Sequence, residues 1–150
     1  MRTVVQRVSQ ACVVIGGQVH GEIGKGYMVL VGISEDDDER IVNKMAEKIA
    51  KLRIFEDEAG KMNLSLGQVG GSVLSISQFT LYADCHKGNR PGFDKAGKPE
   101  KAKALYLLFN KKLRELGFIV EEGIFGADMK VSLTNDGPVT ICLDSMEVIR

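Results

Sequence analysis

The chain has 150 residues, with 20 Lys and Arg against 20 Asp and Glu, and three widely spaced cysteines. Its length favours a single domain, and an odd cysteine count argues against a secreted disulfide framework and for a reducing compartment such as the cytoplasm. Polar residues interrupt the N-terminal segment, and no apolar run approaches the roughly 18 residues of a membrane span, so we expect neither an exported nor a membrane protein.

The first third of the chain predicts β-structure. Apolar and β-branched residues cluster at 4–8, 11–15 and 27–33, with a turn at Gly16-Gly17. Apolar spacing at 36–53, behind an acidic first turn, then predicts an amphipathic helix. A turn at 56–61 between short strands follows.

Residues 73–82 predict a strand that ends in a group of chemically useful side chains. Ser77, Gln78, Phe79 and Thr80 follow an apolar run. Because side chains alternate along a strand, the Gln78 amide and the Thr80 hydroxyl are expected on one face, where they could form a site. The alternative is a buried strand end with satisfied hydroxyls.

The second half combines a long polar segment, a helix and further strands. Residues 83–99 predict a loop, and a loop of that length is usually functional or disordered. Proline suits the first helical position, so a second helix should begin near Pro99 and end at Gly117. Three strands are predicted after it, at 118–121, 129–133 and 139–143. The pattern favours a single α+β domain with two main helices and mostly antiparallel sheets, with 145–150 as a tail.

Charge is unevenly distributed although the net charge is zero. Residues 34–47 have a balance of −4, and residues 87–103 have six Lys or Arg against two Asp or Glu, a balance of +4. Both could be solvated surfaces. The basic segment could instead meet a phosphate backbone.

Several common sites are disfavoured. Asp84-Cys85-His86 places possible ligands in succession, which seldom converge on one ion, so no metal is expected. Cys85 and His86 point apart on an extended chain, and Ser77 or Thr80 would need a base within reach to act as a nucleophile. The glycine clusters at 16–17 and 24–26 lack phosphate-loop spacing. We therefore expect no cofactor.

Six short motifs follow one another along residues 1–144. They are Gln6-Arg7-Val8, Leu52-Arg53-Ile54-Phe55, Ser77-Gln78-Phe79-Thr80-Leu81, Lys87-Gly88-Asn89-Arg90-Pro91, Phe125-Gly126-Ala127-Asp128-Met129 and Asn135-Asp136-Gly137-Pro138-Val139-Thr140. In this order they resemble the D-aminoacyl-tRNA deacylases, and the set is far more specific than any one motif.

The resemblance implies a homodimeric hydrolase that cleaves the ester between a D-amino acid and the 3′ end of tRNA, accepts glycyl-tRNA and rejects L-aminoacyl-tRNA. It implies a cis Gly137–Pro138 peptide that enters the partner's site and excludes L side chains by a steric clash, whereas the residues alone read as an ordinary tight turn. Arg7 would support that loop.

The resemblance also distributes roles within the site itself. The backbone N–H groups of Phe79 and Thr80 would stabilise an oxyanion. Phe125 and Met129 would contact the terminal adenosine, and the basic loop would meet the acceptor stem. Thr80 could attack the ester, or it could contribute mainly its backbone while the tRNA 2′-hydroxyl assists water; we favour the second. A module that binds a 3′ end without hydrolysis, and an RNA-free D-amino-acid esterase, are the rival functions.

Overall fold

The computed structural model describes residues 1–149. Within residues 1–149, eight strands and three helices follow one another, with a short 3₁₀ turn at Phe79–Tyr82. They are β1 (Arg2–Ile15), β2 (Gln18–Ile23), β3 (Gly26–Gly32), α1 (Glu39–Ala50), β4 (Phe55–Glu56), β5 (Met62–Leu64), β6 (Ser72–Ser77), α2 (Pro99–Glu115), β7 (Val120–Glu122), β8 (Lys130–Asp144) and α3 (Ser145–Val148).

The main sheet has six strands in the order β2-β1-β3-β6-β7, with β8 paired to β1. The β1 pairings with β2, β3 and β8 are antiparallel, whereas β3–β6 and β6–β7 are parallel. Strands β4 and β5 form a separate antiparallel pair. The α+β class is confirmed, and the main sheet is mixed because β6 enters it after α1 and β7 enters it after α2.

The sheet separates two apolar clusters. Tyr27, Val29 and Val31 of β3 pack with α1 and α2 on one face, and the alternate residue Met28 packs with β2, β6 and β8 on the other. Strand β1 contributes Val5 to the first cluster and Val8 to the second. Leu74 and Ile76 belong to the second cluster, against which Met129 packs. The polar end of β6 therefore emerges beside the loop that precedes β8.

The two long helices run side by side in the same direction. The Lys98 backbone N–H before α2 donates to Glu35 Oε2 before α1 at 3.0 Å, and Glu47 near the end of α1 pairs with Lys112 at 3.5 Å. Helix α1 is shorter than the predicted 36–53 because Asp38 caps its start, accepting from the Ile41 backbone N–H at 2.8 Å. Helix α2 begins at Pro99 as predicted.

Four strand predictions were wrong in their limits. The segments 4–8 and 11–15 form one strand, β1, and the strand β2 was missed. The segments 129–133 and 139–143 likewise belong to one strand, β8. None of the helices within residues 1–149 has the length and hydropathy that crossing a membrane would require.

The predicted strand 73–82 ends at Ser77. The Gln78 backbone N–H still donates to the Val31 carbonyl at 2.8 Å, and the chain then turns over Gly32. A Cβ on Gly32 would lie 3.0 Å from Leu81 Cβ and 3.1 Å from the Gln78 carbonyl oxygen. The absence of a side chain at Gly32 therefore leaves room for the 3₁₀ turn.

Candidate active site

A cleft of about 250 Å³ lies between the end of β6 and the loop before β8. One wall carries Ser77, Gln78 and Phe79, and the other carries Phe125 and Met129. These two groups are more than 40 residues apart in the sequence, and the fold brings them to the same cleft.

Two successive backbone N–H groups lie at the edge of this cleft. The Gln78 N–H donates to the Val31 carbonyl, and the Leu81 N–H donates to the Gln78 carbonyl at 3.3 Å. Phe79 and Thr80 lie between these two donors, in the first positions of the 3₁₀ turn, where backbone N–H groups have no partner inside the turn. Such paired donors suit an oxygen that gains negative charge.

Thr80 Oγ1 accepts a hydrogen bond from Gln78 Nε2 at 2.5 Å. The two side chains meet because the chain turns between them, not because they share a strand face. A glutamine amide nitrogen donates and takes no proton, so this contact gives the Thr80 hydroxyl no base. The other polar side chain of the motif, Ser77, lines the cleft beside them.

The opposite wall is built on Gly123 and Tyr106. Met129 lies so close over Gly123 that a Cβ there would collide with its sulfur. The Phe125 ring lies 6.2 Å from the Tyr106 ring, and Tyr106 Oη donates to the Ser75 carbonyl at 2.7 Å. Burial raises the pKa of Tyr106, so its hydroxyl remains a donor. Both walls are therefore tied to Ser75 on β6.

A loop over residues 84–98 contacts Phe79, one of the residues that line the cleft. Asp84 and Gly92 exchange two backbone hydrogen bonds of 2.8 and 2.9 Å, and the next residue, Phe93, places its ring 4.9 Å from the Phe79 ring at 64°. Phe93 is absent from the residues expected from sequence. The only signal was a phenylalanine within an otherwise polar loop.

Electrostatics help to close this loop. The His86 backbone N–H donates to Asp84 Oδ1 at 2.9 Å, and Lys95 Nζ lies 3.5 Å from Asp84 Oδ2. First the His86 hydrogen bond and then the Lys95 charge lower the pKa of the Asp84 carboxyl. The carboxylate is thus charged, and it joins the two sides of the loop.

The Gly137–Pro138 peptide bond is cis and belongs to a segment that leaves the β1–β8 ladder. Gln6 pairs with Thr140 and Val8 pairs with Asn135, so residues 136–139 project opposite Arg7 alone. Arg7 is only 5% exposed. Its Nε donates to the Asp136 carbonyl at 2.8 Å and its Nη1 donates to the Ile54 carbonyl at 2.7 Å.

The Gly137–Pro138 loop and the 3₁₀ turn lie near different parts of β1. Arg2 Nη1 donates to the Leu81 carbonyl at 3.1 Å, whereas Arg7 holds Asp136. Five residues of strand separate Arg2 from Arg7, a distance of about 17 Å. Within one chain, therefore, the Gly137–Pro138 loop and the 3₁₀ turn are anchored to β1 at positions about 17 Å apart.

A family model described as D-Tyr-tRNA(Tyr) deacylase matches residues 4–144. The chain belongs to this family. It is 57% identical to a D-aminoacyl-tRNA deacylase of Symbiobacterium thermophilum over 97% of this chain and 96% of that protein. It is 61% identical to one of Bacillus pumilus over 98% of this chain and 100% of that protein.

A solved structure shares the fold of this chain. A structure named c-Myc DNA Unwinding Element Binding Protein has a TM-score of 0.90 and 42% identity, and the match covers 96% of this chain and 98% of that one. The chain is therefore a hydrolase of the D-aminoacyl-tRNA deacylase family.

Among the residues expected to form its site, Ser77, Gln78, Phe79, Phe125 and Met129 share one cleft and Thr80 adjoins it. Gly137, Pro138 and Arg7 form a separate cluster.

Proposed function

We propose that this deacylase-family protein hydrolyses the ester between a D-amino acid and the 3′ end of tRNA, accepts glycyl-tRNA and rejects L-aminoacyl-tRNA. The observation that carries the proposal is the cleft in which the start of the 3₁₀ turn faces Phe125 and Met129. An aromatic ring and a thioether suit a purine face, and two N–H donors suit the ester oxygen.

The reaction needs little beyond orientation and charge stabilisation, because an ester is already activated. Water adds to the carbonyl carbon, and negative charge develops on the carbonyl oxygen beside the N–H groups of Phe79 and Thr80. The ester C–O bond then breaks, and the tRNA hydroxyl leaves with a proton. The products are the free D-amino acid and tRNA.

Thr80 contributes mainly its backbone in this proposal. Its hydroxyl accepts from the Gln78 amide, a group that cannot remove a proton. The 2′-hydroxyl of the terminal ribose would assist water instead. Direct attack by Thr80 would require a base that the Gln78 contact does not supply.

Chirality selection would come from a second copy of the chain. The separation of about 17 Å between their anchoring residues on β1 supports this, because the Gly137–Pro138 loop and the 3₁₀ turn are held at different places in one chain. In a homodimer the loop would enter the partner's cleft, where backbone carbonyls would crowd an L side chain. Glycine has no side chain and would escape the clash.

The loop at 84–98 would meet RNA. It contains most of the basic segment 87–103 and adjoins the cleft through the Phe79–Phe93 contact. Lysine and arginine in such a place would contact acceptor-stem phosphates without reading sequence.

A binding module is the second candidate, because a structural neighbour with 42% identity is named for binding a DNA element. One assay separates the candidates: incubation with D-tyrosyl-tRNA, L-tyrosyl-tRNA and free D-tyrosine ethyl ester, with release of tyrosine measured. We expect release from the first alone. Tight binding without release would favour the module, and release from the free ester alone would favour an RNA-free esterase.

Two further measurements test the proposals that glycyl-tRNA is accepted and that the protein is a dimer. Glycyl-tRNA should be hydrolysed, and light scattering should give a mass of twice the 16.4 kDa chain. A monomer that still discriminates D from L would contradict selection by a second copy.

A further inference from the structure

Two phenylalanine rings remain exposed next to the cleft although they contact each other. Phe79 is 53% exposed and Phe93 is 36% exposed, with ring centroids 4.9 Å apart. Phe79 lines the cleft on one side and touches Phe93 on the other. The pair, which we call the phenylalanine platform, therefore extends the cleft outward as one apolar surface.

Phe93 is held in place although it belongs to a long loop. The Asp84–Gly92 bridge precedes it, and the Ala96 N–H donates to the Phe93 carbonyl at 3.0 Å. The Gly97 N–H donates to the Ile33 carbonyl at 2.9 Å, which anchors the loop to the end of β3. A ring fixed in this way loses little conformational freedom when a planar partner stacks on it.

The charges of the loop that carries Phe93 favour an anionic partner. The loop carries Lys87, Arg90, Lys95 and Lys98 against Asp84 and Asp94, and Asp84 already faces Lys95. Cations beside exposed aromatic rings form the arrangement that binds single-stranded nucleic acid, in which bases stack and phosphates meet the basic groups. A merely structural pair that fixes the loop would need neither the exposure nor the cations.

We propose that the phenylalanine platform stacks the unpaired nucleotide that precedes the terminal adenosine of the tRNA 3′ end. This rests on the proposed function, which puts the terminal adenosine at Phe125 and Met129 and the ester at Phe79 and Thr80. From there the RNA strand leaves the cleft past Phe79. The base of the preceding nucleotide then stacks on the phenylalanine platform, and its phosphate contacts the basic side chains of the loop at 84–98.

The test compares a long and a short substrate in the same protein. D-tyrosyl-tRNA reaches the platform, whereas D-tyrosyl-adenosine carries only the terminal nucleoside. In Phe93→Leu, which keeps an apolar side chain but removes the ring, the ratio of kcat/KM for tRNA to kcat/KM for the nucleoside should fall about tenfold, through KM. Phe93→Trp should retain the ratio. Phe118→Leu, at a partly buried phenylalanine of the core, should leave it unchanged.

The ratio is insensitive to a loss of folded protein, because both substrates use the same sample. An unchanged ratio in Phe93→Leu overturns the platform. A change of oligomeric mass in Phe93→Leu, with the ratio unchanged, would assign the surface to contact between copies and would also overturn it.

A binding experiment separates this inference from the proposed function. Affinities for the trinucleotide CCA and for adenosine are measured with wild type and Phe93→Leu by calorimetry. If the wild type binds CCA more tightly than adenosine and Phe93→Leu loses this difference, the platform is supported. This holds even if the wild type hydrolyses nothing, in which case only the proposed function fails. If Phe93→Leu loses affinity for CCA and for adenosine by the same factor, the platform is contradicted.

Discussion

Arg7 Nε donates to the carbonyl oxygen of Asp136 at 2.8 Å, and this bond joins residues that are 129 positions apart in the sequence. The same guanidinium reaches the Ile54 carbonyl at 2.7 Å. A single buried side chain thus fixes the projecting Gly137–Pro138 loop to the strand below it and to the segment after α1. Guanidinium geometry is needed, because a lysine ammonium is a point donor on a flexible stem.

Replacing Arg7 by lysine should therefore destabilise the protein and loosen chirality selection. One of the two carbonyls that Arg7 holds would lose its donor, at a cost of about 2 kcal/mol in the free energy of unfolding if it is the buried Ile54 carbonyl. Urea denaturation and the ratio of D-tyrosyl-tRNA to L-tyrosyl-tRNA hydrolysis measure the two effects. Arg53→Lys is the control, because Arg53 bonds to Asn63 at the surface and should cost less than about 1 kcal/mol. An Arg7→Lys protein with an unchanged D/L ratio would contradict the role of Arg7.

Thr80→Ala should keep most of the activity. The variant removes the hydroxyl but leaves the backbone N–H, so kcat should fall by less than about tenfold, whereas loss of a true nucleophile costs several orders of magnitude. Single-turnover hydrolysis of D-tyrosyl-tRNA measures the chemical step. A loss of several orders, with folding and tRNA binding intact, would make Thr80 the nucleophile.

Gly137→Ala should impair the loop beyond the cost of backbone strain. Gly137 has φ +135°, and a Cβ there would lie 2.9 Å from Val139 Cγ2 and 3.1 Å from Arg7 Nη2. Gly117→Ala is a matched control, because Gly117 has φ +98° and open space around it. The control should lose about 1–2 kcal/mol of unfolding free energy without a change in the D/L ratio. Gly137→Ala should lose more unfolding free energy than Gly117→Ala, and its D/L ratio should fall. Equal losses of stability and equal D/L ratios in the two variants would contradict this.

Gly123→Ala should weaken nucleotide binding and leave the chemical step intact. The new methyl would occupy the place of the Met129 sulfur, and the flexible Met129 side chain would move into the cleft. KM for D-tyrosyl-tRNA should rise about tenfold or more, with kcat within a factor of about three. Steady-state kinetics on both variant and wild type decide the matter. A fall in kcat alone would place Met129 away from the adenosine.

The Asp84 carboxyl should titrate below its ordinary pKa of 3.8. Because the pKa is lowered in the folded state, the stabilisation from its partners is present above pH 3.8 and is lost as the pH falls through the folded value. Lys95→Met should raise this pKa but leave it below 3.8, since the His86 N–H remains. Carbon-13 NMR titration measures the shift. Asp57, whose pKa is lowered mainly by the Lys61 backbone N–H, is the internal control; a downward shift of Asp84 in the variant would be the contradicting result.

Local patterns were enough to predict both long helices. The signals were the apolar periods of the two helices, the acidic residues at the start of α1 and Pro99 at the start of α2. All of them lie within one or two helical turns. The ordered motifs were likewise readable from the chain alone. The same local rules missed β2 and divided β8, because the pairing of a strand is decided by its neighbours in the sheet.

The sequence by itself thus determined the class of the fold, the two long helices and the family to which the chain belongs, whereas α3 lies in the segment that was predicted to be a tail. Only the tertiary structure decided where β6 ends. The Gln78 N–H donates to the carbonyl of Val31, and the neighbouring Gly32 leaves room for the turn; both residues lie more than 40 positions earlier in the chain. It alone brought Phe93 onto Phe79 and Arg7 under Asp136. Contacts of this kind depend on side-chain packing between distant segments, which local propensity does not encode.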